Sequence, residues 1–378
     1  MRVSRFEILV VRMPLKVPVG PAPAGDGDGP RILLVAAHDD EGRTGWGEAG
    51  SAPGVTGESV DGAGDELRRV ILPAFLGHRF DSPEAIARAL LGCLDGLSRN
   101  QHAAFCAAEL ALLDLAGHAF GVSVGDLLGP VRRERVDYGG VVDTLDAQAV
   151  ACHARRFARL GIRQIKVTVG PDLEDNLRLL GIVREIVGPM VELRIDAGCA
   201  WDLPETIRQL EAMSEFRLAA VEQPLPASDL QGLRELTATE ILPVVADECL
   251  AGLDDARRLV DRRACDVFNI RISKVGGLLN AGRIHRCARA AGLECQLGAQ
   301  SVETGLLSAA GRHYATRAGE VRWLEGSYDG LFVDRLITAP DITIGRGGRA
   351  TALTAPGLGV TPVSPSLDAC TLQRFPVG

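Results

Sequence analysis

From about residue 134 the chain alternates short runs rich in β-branched and aliphatic residues with amphipathic segments of helical period. The candidate strands are Val136 to Val142, Gln164 to Val169, Glu192 to Asp196, Leu218 to Glu222, Leu242 to Asp247, Asp266 to Arg271, Leu293 to Leu297 and Val321 to Glu325. Eight such strand and helix units predict an α/β fold, a TIM-like (β/α) barrel. A barrel of this kind has one chemically privileged face, because the loops at the carboxyl ends of its strands carry the active site.

Three successive candidate strands end in a carboxylate: LRID at Asp196, AAVE at Glu222 and PVVAD at Asp247. Their spacings are 222 − 196 = 26 and 247 − 222 = 25, about one βα unit each. Neighbouring strand ends would therefore bring the three acids together at the mouth. Hard oxygen ligands from separate side chains suit Mg²⁺, with Mn²⁺ as a substitute. Any one of these acids alone would more simply cap the following helix or pair with an arginine; three in register reverse that preference.

The 378 residues exceed a barrel, so a second unit is expected. Residues 3 to 12 and 31 to 38 read as strands, and apolar residues recur at helical spacing through 58 to 76, 82 to 98 and 103 to 119. Residues 1–130 are thus expected to form an α+β capping domain, 131–340 the barrel, and 341–378 a segment without a clear helix that packs back on the cap. Two Gly- and Pro-rich stretches, Pro18 to Pro30 and Gly45 to Gly57, are candidates for mobile loops.

With 46% hydrophobic residues, 24% charged and a net charge of −8, the composition argues against nucleic-acid and membrane partners. The amino-terminal stretch lacks the apolar core of a secretory signal, so a cytoplasmic location is expected. The nine cysteines lack finger spacing, and most read as small buried residues. This includes Cys199, Cys249 and Cys295 beside strand ends; Trp201 likewise reads as core packing. Of the 41 basic residues only Lys16, Lys166 and Lys274 are lysine.

VEQPLP at 221 to 226, ADE at 246 to 248, IDAGCAW at 195 to 201, SKVGGL at 273 to 278 and AELALLDLAGHAFGVSVGDLLGP at 108 to 130 resemble the muconate-lactonizing and mandelate-racemase groups of the enolase superfamily. The resemblance implies a barrel of the enolase type. It also implies a Mg-dependent isomerase or lyase that removes the proton α to the carboxylate of a small substrate, and a homo-oligomer is expected. The muconate-lactonizing group carries Lys-x-Lys on the second strand, where this chain reads Lys166-Val167-Thr168. The opposing lysine of the group falls at Arg271. A threonine hydroxyl is a poor base and an arginine stays protonated, so Lys166, on the same strand face as Thr168, is the nearest candidate base. Lys166 would otherwise only screen the carboxylates, and Arg271 only pair with a metal ligand. Lys274 matches a supporting basic position.

The His-Asp dyad of the racemase group is absent, with Ala299 and Arg271 at its places. Glu303 and Glu325 match acidic positions near the mouth, although Glu303 also fits a helix N-terminal acid. One inward lysine favours a single proton-transfer face, as in dehydration or cycloisomerisation, over racemisation. The Asp-x-Asp that dipeptide epimerases place at strand eight is not seen in WLEGSYD, which ranks dipeptides low. The competing expectation, motivated by Thr168 and Arg271, is a non-catalytic relative that keeps the metal and binds a carboxylate.

Overall fold

The computed structural model describes residues 1–16, 19–20, 29–50 and 53–378. Strands β1 (Val3–Arg12), β2 (Arg31–Asp39) and β3 (Thr44–Ala49) form an antiparallel sheet. After helices α1 (Val60–Glu66) and α2 (Pro83–Leu94), helix α3 (His102–Phe120) packs across this sheet. The approach is so close that a Cβ on Gly45 would lie 2.1 Å from Leu115 N and one on Gly47 2.1 Å from Ala107 O. Only glycine fits there. Among the described residues, Arg99–Phe120 is the one helical stretch long and apolar enough to cross a membrane, and 83% of its most apolar window is buried inside the protein.

Eight parallel strands follow: β4 (Gly140–Val142), β5 (Gln164–Thr168), β6 (Glu192–Asp196), β7 (Leu218–Glu222), β8 (Val244–Ala246), β9 (Val267–Arg271), β10 (Glu294–Gly298) and β11 (Trp323–Leu324). They pair in sequence order, and Gly139 N–H donates to Leu324 O at 2.8 Å across the seam, curling the sheet into the expected barrel. The run read as one strand from Val136 to Val142 is two elements. Arg135–Asp137 turns away to pair with Arg349–Thr351, and only Gly140–Val142 enters the barrel.

The connecting helices α4 (Ala147–Leu160), α5 (Leu173–Val187), α6 (Leu203–Ala212) and α7 (Leu230–Ala238) each begin at an aspartate whose carboxylate accepts a backbone N–H of the first turn. These caps are Asp146, Asp172, Asp202 and Asp229. Such caps satisfy the orphan donors of a helix start. The acids at the strand ends are therefore released from that duty. The barrel is completed by α8 (Leu253–Arg262), α9 (Leu278–Ala290) and α10 (Gly305–Arg317).

Two expectations about loops and tail need correction. Within Gly45 to Gly57, residues up to Ala49 belong to β3, where they pair with β2, and Pro53–Thr56 is a helical turn. Ser51 and Ala52 lie outside the described residues, as do Val17, Pro18 and 21–28 of the other stretch. The tail contains a helix, Ser364–Cys370, opened by a proline in its first turn, before strand β12 (Thr371–Val377) pairs with β1.

The cap grips the barrel through two buried carboxylates at helix starts. Glu109 of α3 accepts from Leu278 N and, at 3.2 Å, from Leu279 N at the start of α9. Glu48 of β3 accepts from Thr304 N and Leu307 N at the start of α10, at 2.9 and 3.1 Å. Gly276 and Gly277, at φ +81° and +98°, make the turn that leads into α9, and a Cβ on Gly277 would collide with Glu109. Between the grips, Gly50 N donates to Ser273 Oγ at 3.0 Å.

Burial pushes both Glu109 and Glu48 up to about 8, outweighing the N–H groups that favour the ionised form. An unfolded carboxyl loses its proton near 4.5, whereas the folded ones keep theirs to about 8. Across that window the folded state holds more protons, so stability falls as pH rises, by about 1.4 kcal/mol per pH unit for each group. Glu109→Gln keeps the acceptor but cannot titrate. Urea unfolding at about pH 5.5 and about pH 7.5 should give a shallower pH slope in Glu109→Gln than in the parent by that amount. Identical slopes would show that Glu109 is ionised in the folded protein.

Candidate active site

The barrel register aligns the strand-end residues. Val142 lies opposite Val167, Thr168 opposite Asp196, Asp196 opposite Glu222 and Glu222 opposite Val245. Asp247 lies two residues past Val245, where the strand has ended. Asp196, Glu222 and Asp247 thus sit on three consecutive strand ends, with Thr168 beside them.

Lys166, two residues before Thr168 and 2% exposed, rises into this layer. Its ammonium reaches Glu222 Oε1 at 2.8 Å, Glu325 Oε2 at 3.1 Å and Asp196 Oδ2 at 3.2 Å. Burial alone would lower its pKa, but Glu222, Glu325 and Asp196 outweigh it and hold the ammonium well above the usual lysine value. Arg271 pairs with Asp247 Oδ2 and lies 3.8 Å from Glu222 Oε1. Asp247, Glu248 and Glu222 overcome its burial and keep it charged. Lys274 donates to Asp247 O at 2.6 Å, Asp247 Oδ1 at 2.5 Å and Asn269 O at 3.0 Å. All three of its hydrogens are committed. Lys16 donates instead to Gly330 O at 3.0 Å.

The acids respond unequally. Burial raises Glu222, but Lys166 and Arg271 prevail and hold it at about 2. Asp196 is pushed well above the ordinary range, first by burial and then by Glu222, with Lys166 opposing. Glu248, next to Asp247, is raised to about 7 by burial and then by Asp247. Glu303 accepts from Gln300 N at 2.8 Å and is raised by burial. It does not cap α10, whose N-cap Thr304 accepts from Leu306 N and whose Leu307 N–H is taken by Glu48.

Several residues of the site were not picked out by the strand-end pattern. Arg194 donates to Gln296 Oε1 at 2.7 Å and Glu325 Oε1 at 3.1 Å, and its guanidinium stacks 4.5 Å from the Trp323 ring centroid. Asn269 Nδ2 and Gln296 Nε2 each donate to Glu222 at 2.7 Å. Arg194, Asn269 and Gln296 precede Asp196, Arg271 and Gly298 by two, so strand alternation carries a signal for them. Asp143 follows β4 and accepts from Thr168 Oγ1 at 3.2 Å. The three cysteines beside strand ends are inert by environment, with burial raising Cys199, Cys249 and Cys295 to about 12. Trp201 is 3% exposed and donates to Gly170 O at 2.9 Å.

As arranged, the three metal candidates are engaged by Lys166, Arg271 and Lys274, and no cluster of acid, histidine or cysteine side chains among the described residues forms a ready cage. The donor chemistry nonetheless fits a hard divalent ion. The donors are all carboxylate oxygens, and beside Asp247 the buried Glu248 Oε2 has no hydrogen-bond partner among the described residues. A buried oxygen left in that state is costly unless positive charge or a donor reaches it.

Residues 7–129 match the family model "Mandelate racemase / muconate lactonizing enzyme, N-terminal domain", and residues 149–365 match "Enolase C-terminal domain-like". The chain is 32% identical over 271 residues to the L-Ala-D/L-Glu epimerase of Clostridium acetobutylicum, covering 70% of this chain and 74% of that protein. To the o-succinylbenzoate synthase of Bacillus subtilis it is 29% identical over 339 residues, covering 87% and 86%. The crystal structure of N-succinyl Arg/Lys racemase from Bacillus cereus superposes with a TM-score of 0.89 at 25% identity and covers all of both chains. The dipeptide epimerase from Enterococcus faecalis, complexed with Mg and L-Leu-L-Tyr, superposes at 0.85 with 25% identity, covering 96% of this chain and 100% of that one. This chain belongs to the enolase superfamily, and within it is an isomerase- or lyase-type enzyme of the mandelate racemase and muconate lactonizing enzyme group.

Proposed function

We propose that the protein abstracts the proton α to the carboxylate of a small substrate, with Asp196, Glu222 and Asp247 holding a divalent cation, Mg²⁺ or Mn²⁺. The observation that carries this reading is the register that sets the three acids on consecutive strand ends, at the face where barrels do their chemistry. When bound, the ion would supply concentrated positive charge for the enediolate that forms as the proton leaves.

The chain's own residues divide the remaining work. Lys166 Nζ is the proton-carrying group at the centre of the layer, and it gives up its proton only as the negative charge around it is compensated. Arg271 keeps its charge and stabilises developing anion on the opposite side. Glu325, fixed by Lys166 and Arg194, and Glu303 bound the mouth on the far strands. Lys274 holds Asp247 in place. With Thr168 in place of a second lysine and Arg271 fixed as a cation, proton transfer is confined to one face, which favours dehydration or cycloisomerisation over racemisation.

In deuterated buffer with Mg²⁺, the protein should exchange the α-proton of its substrate among small carboxylic acids, and chelation with EDTA should abolish the exchange. Lys166→Ala should slow exchange by about 10²–10⁴ fold. Unchanged exchange in that variant would remove Lys166 as the proton carrier, and no exchange across acid sugars, amino acids and their derivatives would overturn the reading.

Lys166→Met separates stability from chemistry, because it leaves Asp196, Glu222 and Glu325 buried without their shared cation. It should lower the metal-free unfolding free energy by about 3–5 kcal/mol, measured by urea denaturation. Added Mg²⁺ should recover part of that loss, whereas no recovery would show that the ion binds away from these acids.

A further inference from the structure

We propose that Asp143 holds a positively charged nitrogen of the substrate, so that the molecule turned over is a small carboxylate that also carries an ammonium or quaternary amine. This inference rests on the proton-abstraction reading for its setting and adds the substrate class.

Asp143 is a further carboxylate in the strand-end layer. It comes one residue after Val142, which lies opposite Val167, and so stands beside Thr168 as Thr168 stands beside Asp196. Asp196, Glu222, Asp247 and Glu325 all pair with lysine or arginine. Asp143 alone of these five makes no ion pair among the described residues. Among the described residues its oxygens accept only hydroxyl hydrogens, from Thr168 Oγ1 at 3.2 Å and Ser301 Oγ at 2.7 Å. A carboxylate offers about four acceptor sites, so lone pairs remain for a further donor.

The identity of residue 168 explains why that charge is unspent. Where the muconate-lactonizing pattern places a second lysine, a lysine ammonium beside Asp143 would neutralise it internally. Thr168 gives a hydroxyl hydrogen and no charge. A cationic nitrogen on the substrate would fill the place that the lysine head leaves empty.

The corner is also partly shielded. Gly20 of the cap donates its N–H to Asp143 O at 2.8 Å, and a Cβ at Gly20 would lie 3.4 Å from the Ser301 Cβ and 3.7 Å from Asp143 Oδ2. A half-buried carboxylate attracts a cation more strongly than one in open water, because the local dielectric is lower. Two strand spacings, about 10 Å, separate the strand ends at Asp143 and Asp196. One small molecule can therefore meet both ends of the layer, its carboxylate toward the acids' ion and its amine toward Asp143.

The test uses matched ligands in Mg²⁺ buffer: free amino acids and their betaines against the N-acetylated amino acids, which lack the cation. Binding is read by isothermal titration calorimetry and turnover by α-proton exchange in deuterated buffer. The parent protein should prefer the cationic members by about tenfold or more. Asp143→Asn should erase that preference and raise KM about tenfold, with kcat changed less than about threefold. Thr168→Lys should erase it too, by supplying an internal ammonium, and having two variants of opposite chemistry keeps the result readable if one of them unfolds.

A parent that prefers the N-acetylated compounds, or a preference that survives in Asp143→Asn, would overturn the proposal. So would a loss of kcat at constant KM in Asp143→Asn, which would place the carboxylate in proton transfer. If no ligand exchanges its proton while the Asp143-dependent binding preference stands, the proton-abstraction reading falls and the cation site remains.

Discussion

The ammonium of Lys166 lies within 3.2 Å of three carboxylates in the barrel interior, and the geometry of the mouth depends on it. Three buried like charges brought together in the barrel interior would repel one another and pay heavily for lost water unless a cation and further hydrogen bonds offset both terms. Lys166 supplies the cation. Asn269 and Gln296 supply the hydrogen bonds to Glu222, and Arg194 ties Gln296 to Glu325 across the barrel. Arg271 and Lys274 do the same service for Asp247. The strand ends are therefore held in place by charge as well as by backbone ladders. A site whose acids are fixed before substrate arrives needs little reorganisation when charge develops on that substrate.

The cap is joined to the barrel by a different use of carboxylates. Glu48 and Glu109 are taken up by the buried N–H groups that begin the helices after barrel strands seven and six. Each makes a contact that neither unit could satisfy alone, since the cap provides the acceptor and the barrel the donors. Because β3 carries Glu48 and runs directly into Gly50, which is tied to Ser273 after β9, the grip also fixes where the cap's next segment begins relative to Lys274 and Arg271. Packing of the cap and arrangement of the mouth are thus one problem, solved by the same turn around Gly276 and Gly277.

The parts of this arrangement that were legible in the sequence share one property: they repeat. The βα period announced the barrel, and acids one period apart announced the strand-end layer. Non-repeating tertiary pairings were harder to read. Nothing local distinguishes Arg135–Asp137 from the strand that follows, because its direction is set by Arg349–Thr351, more than two hundred residues away. Helix Ser364–Cys370 was hidden by its proline and two serines, whose cost is borne by burying Leu367 and Cys370. Arg194, Asn269 and Gln296 were missed for a subtler reason. Polar residues inside a barrel strand look like outward-facing ones unless the inward register is first fixed from an anchor such as Asp196. Asp143 escaped because the candidate strand ends at Val142 and the acid lies just beyond it.

The two departures from the familiar lysine pattern act on charge in opposite ways. Thr168 removes an ammonium from the side of the mouth where Asp143 stands. Arg271 exchanges a titratable cation for a permanent one on the side of Asp247. The mouth consequently has a carboxylate corner at Asp143 with no ion-pair partner among the described residues, and a corner at Arg271 whose cation cannot lose its proton. Lysines on both faces would serve a symmetric reaction, in which a proton is taken from one side of a carbon and returned to the other. This pattern instead fits the asymmetric, dipolar molecule proposed above. In the proposed reading the molecule's cation would lie on one side and its developing anion on the other, with Lys166 between them as the proposed proton carrier. Lys274 cannot restore the symmetry, since the backbone of Asp247 and Asn269 and the Asp247 carboxylate already hold its three hydrogens.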